Sequence, residues 1–222
     1  MLTKRLSEIL KHTIGSNILV DVGCDHGILG YEALKRGHAL RVIATDVSDK
    51  SLDKARRLFA EYGYVDNVQF RCGDGLSVVE SLEADTVVIS GMGGMEIIKI
   101  LTNSDYQCNR LVLSPQSDTE EVRRYLVGHG YRLNHDYVIF DNKFYWIIVA
   151  VVGEDEYTED EFTFGRDNLN GKSCDFIKWI DVEIDRFNSV ILKTDNQNVK
   201  ERFKESIAQY ENLKKHVSSG GI

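Results

Sequence analysis

A single proline, no paired cysteines and no long apolar run set the first limits on this 222-residue chain. Pro115 stands alone, so helices and strands elsewhere run without a locked φ to break them. Cys24, Cys72, Cys108 and Cys174 are scattered and none forms a C-x-x-C pair. That pattern argues against a metal site and a disulfide framework, and makes a reducing cytoplasm the expected compartment. No apolar stretch approaches the roughly 20 residues that span a bilayer, so no membrane partner is expected. The opening Met1-Leu2-Thr3-Lys4-Arg5 lacks the apolar core of a signal peptide. Positive charge is also short, 27 Lys and Arg against 35 Asp and Glu, for a net charge of −8. Such a surface excludes a protein that coats nucleic acid indiscriminately, but leaves room for a local basic patch. What remains is an ordinary globular composition, 42% apolar and 28% charged, long enough for one domain with an appendage.

After an amphipathic first helix with Leu6, Ile9 and Leu10 on one face, apolar runs alternate with helical patterns. The runs at 18–22, 40–45, 68–72, 86–90 and 110–114 read as strands, most of them apolar throughout. Continuous apolar strands belong to a parallel sheet covered on both faces. Helices are expected at 28–36, 48–62, 95–101 and 119–129, with Ser48 and Asp118 as N-caps. Two further β-rich runs, 131–140 and 144–152, meet at Asp141-Asn142-Lys143, which reads as a hairpin turn. Residues 1–152 therefore form one α/β domain: a mostly parallel seven-stranded sheet finished by an antiparallel pair. Residues 153–222 differ in character. Glu154-Asp155-Glu156 and Glu159-Asp160-Glu161 suit an acidic linker or short lid. Beyond Gly171, apolar residues recur at helical spacing on both sides of a turn at 194–198, as in an antiparallel helical hairpin. The second of these helices mixes Lys200, Arg202, Lys204, Lys214 and Lys215 with acids. A solvated face with i,i+4 pairs explains that mixture, and so does a cationic arm that tracks phosphates.

The most informative residues are Asp21-Val22-Gly23-Cys24-Asp25-His26-Gly27, between the first strand and the helix after it. Together with Asp46 at the end of the second strand, they fit a nucleoside grip. Glycine lets the backbone approach the ligand, and the acid accepts both ribose hydroxyls. A plain strand-to-helix turn would use Gly23 and Gly27 too, but would not call for Asp46 or for Gly73-Asp74-Gly75. A dinucleotide site wants glycine where Asp25 stands, because a carboxylate there repels the pyrophosphate. Asp21, Asp25, Asp46 and Asp74 instead favour a cationic nucleoside, and S-adenosylmethionine (SAM) is one. Gly23, Cys24, Gly27, Val47, Gly75, Gly91 and Met92 are expected to complete the cofactor site, with Cys24 a small buried filler. Ser90-Gly91-Met92-Gly93-Gly94 ends the fourth strand, where three glycines either open room for a bulky acceptor or make a tight turn.

These segments, with Ile97-Ile98-x-Ile100-Leu101 and Leu113-Ser114-Pro115-Gln116, resemble the bacterial TrmK family over roughly residues 2–152. The C-terminal hairpin matches that family's plan as well. The resemblance implies a class I, Rossmann-like methyltransferase that transfers a methyl group from SAM to N1 of adenosine 22 in tRNA. It departs from the family pattern in three places. Cys24-Asp25-His26-Gly27-Ile28-Leu29-Gly30 replaces Ser-Asp-His-Ala-Tyr-Leu-Pro, Leu113-Ser114-Pro115-Gln116 replaces Leu-Gln-Pro-Asn, and Tyr145-Trp146-Ile147 replaces Tyr-Glu-Ile. For this reaction Asp25 is the candidate to stabilise charge on the methylated base, with cofactor binding as its competing role. His26 is the candidate to orient that base, unless it simply starts the helix. Pro115 and Gln116 would border the acceptor, and Arg123, Arg124, Arg132, Lys200 and Lys204 would contact the tRNA backbone. A monomer or weak dimer is expected. Alternatives are a methyltransferase for a small-molecule or protein acceptor, or an inactive adaptor that binds partners through its hairpin.

Overall fold

The computed structural model describes residues 2–103, 108–171 and 173–219. Its seven strands are β1 (Ser16–Val22), β2 (Ala39–Asp46), β3 (Val68–Cys72), β4 (Thr86–Ser90), β5 (Arg110–Ser114), β6 (Tyr131–Asp141) and β7 (Lys143–Val152). They form one sheet in the order β3-β2-β1-β4-β5-β7-β6. The first five strands pair in parallel, while β7 runs antiparallel to both β5 and β6. Asn142, at a positive φ of 62°, turns the chain between β6 and β7 where the hairpin was expected.

Helices α1 (Lys4–Lys11), α2 (Ile28–Lys35) and α3 (Asp49–Glu61) cover one face of the sheet. Helices α4 (Gly94–Thr102) and α5 (Thr119–Gly128) cover the other. Ile9, Leu10, Leu52 and Phe59 are fully buried on the first side, and Ile97, Val122 and Leu126 on the second. Each such side chain contributes roughly 1.5–3 kcal/mol through its removal from water. Ser48 caps α3 as expected, its hydroxyl accepting from the Ser51 N–H at 3.3 Å. Asp118 does not cap α5 through its side chain. Its backbone is left-handed (φ 51°, ψ 40°), which turns the carboxylate away from the helix amides and toward the Ser117 hydroxyl at 2.6 Å.

The acidic stretch expected as a linker is folded. Thr158 and Glu161 form a capping box that starts α6 (Glu159–Phe164), and α7 (Arg166–Leu169) follows at once. The acids of this stretch are partners for arginines. Asp155 and Glu161 hold Arg166 at 2.9 and 2.6 Å, and Glu159 holds Arg124 at 2.6 Å. Beyond them, α8 (Cys174–Lys193) and α9 (Gln197–Ser218) pack as an antiparallel hairpin, joined by Asn196, whose side chain caps α9. The base of the hairpin is anchored on β6 and β7, where Phe176, Ile180 and Val217 cluster with Val138 and Trp146. No helix among the described residues is long and apolar enough to cross a membrane.

Candidate active site

In a parallel sheet of this kind, ligands bind past the carboxyl ends of the strands where the strand order reverses. Here that point lies between β1 and β4, and the loops leaving both strands meet there. A methyl group added at Gly23 would lie 2.3 Å from the Met92 Cε, so the Met92 side chain rests directly against the first glycine turn. The turn itself carries positive φ at Gly23, Asp25 and Gly27 (66°, 48° and 70°). At Gly27 glycine is also demanded by space, because an added Cβ would come within 2.8 Å of Ala55.

Two clefts share Gly23. The first, of about 320 Å³, is lined by Val22, Gly23, Asp46, Val47, Gly73, Asp74, Gly75, Met92, Glu96 and Ile100. It holds three carboxylates and no Lys or Arg. The second, of about 510 Å³, lies on the α1 side and takes in Arg5, Asp21, Asp25, His26, Ser90, Gly91 and Gln116, with Cys24 in its wall. Every residue expected to bind the cofactor, apart from Gly27, therefore lines one cleft or the other.

Asp46 locks the turn while facing the first cleft. One oxygen accepts from the Asp25 N–H at 3.1 Å and the other from the Ser48 N–H at 2.8 Å. Each oxygen keeps a second lone pair for a ligand hydroxyl. Asp21 is buried, and burial pushes its carboxyl up to about 7, with the nearby Asp46 adding to the rise and the Gly30 N–H opposing it. The Cys24 thiol is pushed well up by burial and by the acids around it, which favours the neutral filler over a nucleophile. Asp25 is largely exposed, its carboxylate 3.5 Å from His26 Nε2. Lys54 donates to the same nitrogen at 3.1 Å, leaving the other ring nitrogen of His26 free of it.

The loops after β4 and β5 are stitched together. Gly91 N–H donates to the Ser114 carbonyl, Gln116 N–H to the Met92 carbonyl and Gly94 N–H to the Ser117 carbonyl. Gly94 is glycine because of that seam, since a Cβ would sit 2.5 Å from the Ser117 oxygen. Of the glycines expected to make room for an acceptor, Gly91 does face open cleft, whereas Gly94 serves backbone packing. Gln116 is exposed and its Nε2 donates to the Gly91 carbonyl at 2.8 Å, which leaves its Oε1 available to accept.

Two expected substrate contacts, Pro115 and Arg123, are buried where a substrate cannot use them, and a third, Arg124, is partly exposed but paired. Pro115 is buried and shapes the seam instead of touching an acceptor. Arg123 is 0% exposed; its Nε donates to Asp136 at 2.7 Å, its Nη1 to the Phe162 and Thr163 carbonyls, and its plane covers Trp146. No phosphate can reach it. Arg124 is committed to Glu120 and Glu159 while lying over Phe162. Lys200 and Lys204 have no ion-pair partner among the described residues and lie on the hairpin, away from both clefts. Arg132 bonds Asn134 on the far edge of β6. Among the described residues no group of three or more His, Cys, Asp or Glu is gathered to hold a metal.

Sequence reasoning missed Arg5, Glu96 and Ile100 as lining residues. Arg5 lay in an amphipathic helix that declared only its apolar face. Glu96 had the appearance of a first-turn acid placed for the helix dipole, and Ile100 follows it by one helical turn.

The family model for a methyltransferase domain matches residues 2–149. Across 99% of this chain and 98% of its own length, a Bacillus subtilis tRNA (adenine(22)-N(1))-methyltransferase is 28% identical. The crystal structure of the B. subtilis m1A22 tRNA methyltransferase TrmK superposes with a TM-score of 0.81 at 27% identity, covering 98% of each chain. A Streptococcus agalactiae protein of the NADB-Rossmann superfamily gives a TM-score of 0.86 at 25% identity, with 96% of this chain and 97% of its own covered.

Proposed function

Because this chain belongs to the methyltransferase-domain family, we propose that its two clefts serve SAM and an adenosine of tRNA, and that it methylates N1 of adenosine 22. One observation carries this proposal. The nucleoside cleft is lined by Asp46, Asp74 and Glu96 and by no Lys or Arg, with only Glu96 drawn to a lysine outside the lining (Lys99, 3.7 Å), which suits an adenosyl sulfonium and repels a pyrophosphate.

In this arrangement Asp46 takes the ribose hydroxyls and Asp74 accepts from the cofactor's adenine amine. Val47 and Ile100 supply apolar walls. Asp21, beside Gly23 in the wall of the second cleft, would hold the ammonium of the cofactor's methionyl end, which would stabilise the Asp21 carboxylate. The acceptor adenine enters the second cleft beside Gly91 and Gln116. Its N1 carries a free lone pair, so no proton must leave before attack. The N1–methyl bond forms as the sulfur–methyl bond breaks, the bonding pair returns to sulfur, and the positive charge passes to the base. Catalysis then rests on alignment, which can supply on the order of 7–11 kcal/mol, and no strong general base is needed. Asp25, exposed at the cleft wall, is placed to stabilise the cationic product, and His26 to orient the base.

Adenosine 22 lies in a paired region of tRNA, so the base must leave its stack at a cost of a few kcal/mol. Backbone contacts offset that cost, and Lys200 and Lys204 on the hairpin are the candidates. Residues 153–222 thus act as a tRNA-contacting arm on a catalytic domain of residues 1–152, working where tRNA matures, in the cytoplasm. The test is incubation with methyl-labelled SAM and unmodified tRNA, followed by mass spectrometry of the nucleosides. Label in 1-methyladenosine at position 22 is the expected result. Label in another nucleoside, or calorimetric binding of NAD in preference to SAM, would sink the proposal.

A further inference from the structure

We propose that Arg5 is the oxyanion anchor of the second cleft, a role that rests on the functional reading above. Arg5 lies on α1, and its backbone N–H is tied to the Asp141 carboxylate at 3.0 Å. Its guanidinium lies 4.9 Å from the centre of the Tyr145 ring, where Lys143 also sits at 5.1 Å. Toward the cleft, Arg5 Nη1 comes within 3.8 Å of the point where a Gly91 Cβ would stand, and Gln116 Nε2 within 3.7 Å of the same point. Gly91 is therefore flanked by two nitrogen donors, in the loop after β4.

The guanidinium has five N–H groups, and among the described residues no carboxylate, carbonyl or hydroxyl accepts from any of them. Arg41, Arg57 and Arg202 likewise show no acceptor among the described residues, but none of them lines either cleft. Arg36, Arg56, Arg71, Arg123, Arg124, Arg166 and Arg186 all hold carboxylates. Arg5 lines a cleft with Asp21 and Asp25 yet pairs with neither. A half-buried planar cation held on an aromatic ring, its donors turned to a cleft and unsatisfied, is built to receive a planar or tetrahedral oxyanion. Two oxyanions come to this cleft in the proposed reaction: the carboxylate of the cofactor's methionyl end and the phosphates flanking the target adenosine. Their chemistry is the same, and experiment separates them.

The full-length protein and its Arg5→Gln and Arg5→Lys variants are compared in two arms, with near-UV circular dichroism to verify folding. In the first arm, calorimetry measures S-adenosylhomocysteine and its decarboxylated analogue. A carboxylate anchor predicts that Arg5→Gln weakens the first by about tenfold and leaves the second unchanged. In the second arm, tRNA transcripts carry a single uncharged methylphosphonate on either side of the target adenosine. A phosphate anchor predicts that one of these raises the wild-type Michaelis constant by about tenfold, that Arg5→Gln raises it equally, and that the two together are no worse than either. Arg5→Lys, keeping charge without the fork, should fall between. Effects that multiply in both arms, or an Arg5→Gln variant unchanged in both, would overturn the anchor. Wild-type protein that methylates no tRNA would instead overturn the functional reading, and the cofactor arm alone then decides for or against Arg5.

Discussion

Asp46 has each carboxylate oxygen already accepting one backbone N–H, from Asp25 and from Ser48, and this fixes where the remaining lone pairs point. Asp46→Ala should therefore weaken SAM by at least about tenfold in calorimetry, through a lost diol contact and a loosened turn. Asp21 makes a different prediction. Its folded carboxyl titrates near 7 against an ordinary value of 3.8, because burial disfavours the charge. Between those values the folded state holds a proton that the unfolded state has released. Stability of the ligand-free protein should fall as pH rises through that window, by on the order of 4 kcal/mol from this group, and level off above it. Asp21→Asn should flatten that part of the thermal-unfolding profile. SAM, bringing an ammonium, should expel the proton near pH 6, which calorimetry in buffers of different ionisation enthalpy would detect. An unchanged profile in the variant would place the titration elsewhere.

Among the elements, the acidic stretch and α5 repay the most attention. Arg123 and Asp136 are 0% and 1% exposed, and they join α5 to β6 beneath α6. Burial pushes the Asp136 carboxyl up and Arg123 opposes that rise, so removing the cation strands a buried acid. Arg123→Met should cost roughly 3–5 kcal/mol in urea unfolding, and adding Asp136→Leu should recover much of it. The folded fraction of the single variant should keep the wild-type Michaelis constant for tRNA. A raised constant without lost stability would mean that Arg123 does reach the substrate. In the sequence Arg123 was indistinguishable from a surface cation, since Asp136 lies 13 residues away; Arg124 has one partner at i,i+4 spacing, Glu120, and a second, Glu159, 35 residues away. Asp118 stands at the expected N-cap but makes no side-chain cap bond for a related reason: its left-handed backbone answers to the seam with the β4 loop, which local sequence does not encode.

For the whole molecule, the base of the hairpin is bound to β6 and β7 by an aromatic cluster, with Phe176 stacked on Trp179 at 5.5 Å. Lys4 adds a bridge from α1 to Asp175 at 2.7 Å, so the arm and the entrance to the second cleft share one anchorage. Charge, more than truncation, is then the clean probe of the arm. Changing Lys200 and Lys204 together to Ala should raise the Michaelis constant for tRNA and reduce its salt slope by about 0.7–0.9 per lysine. SAM affinity should stay the same. A salt slope equal to wild type would remove the arm from tRNA binding and leave it a structural brace.

The strands, the helix periods, the glycine turns and the row of acids were all legible in the chain, because each depends on spacing and residue type within a few positions. Those signals picked out residues that line the first cleft and anticipated the antiparallel end of the sheet. Only tertiary structure decided which charges are spent and which are free: Arg123 is consumed by the distant Asp136 and Arg124 is shared between Glu120 on its own helix and the distant Glu159, while Arg5 reaches the second cleft with none. An ion pair forms between groups that folding brings together, and the energy of burying it depends on everything packed around it. No local pattern carries that information.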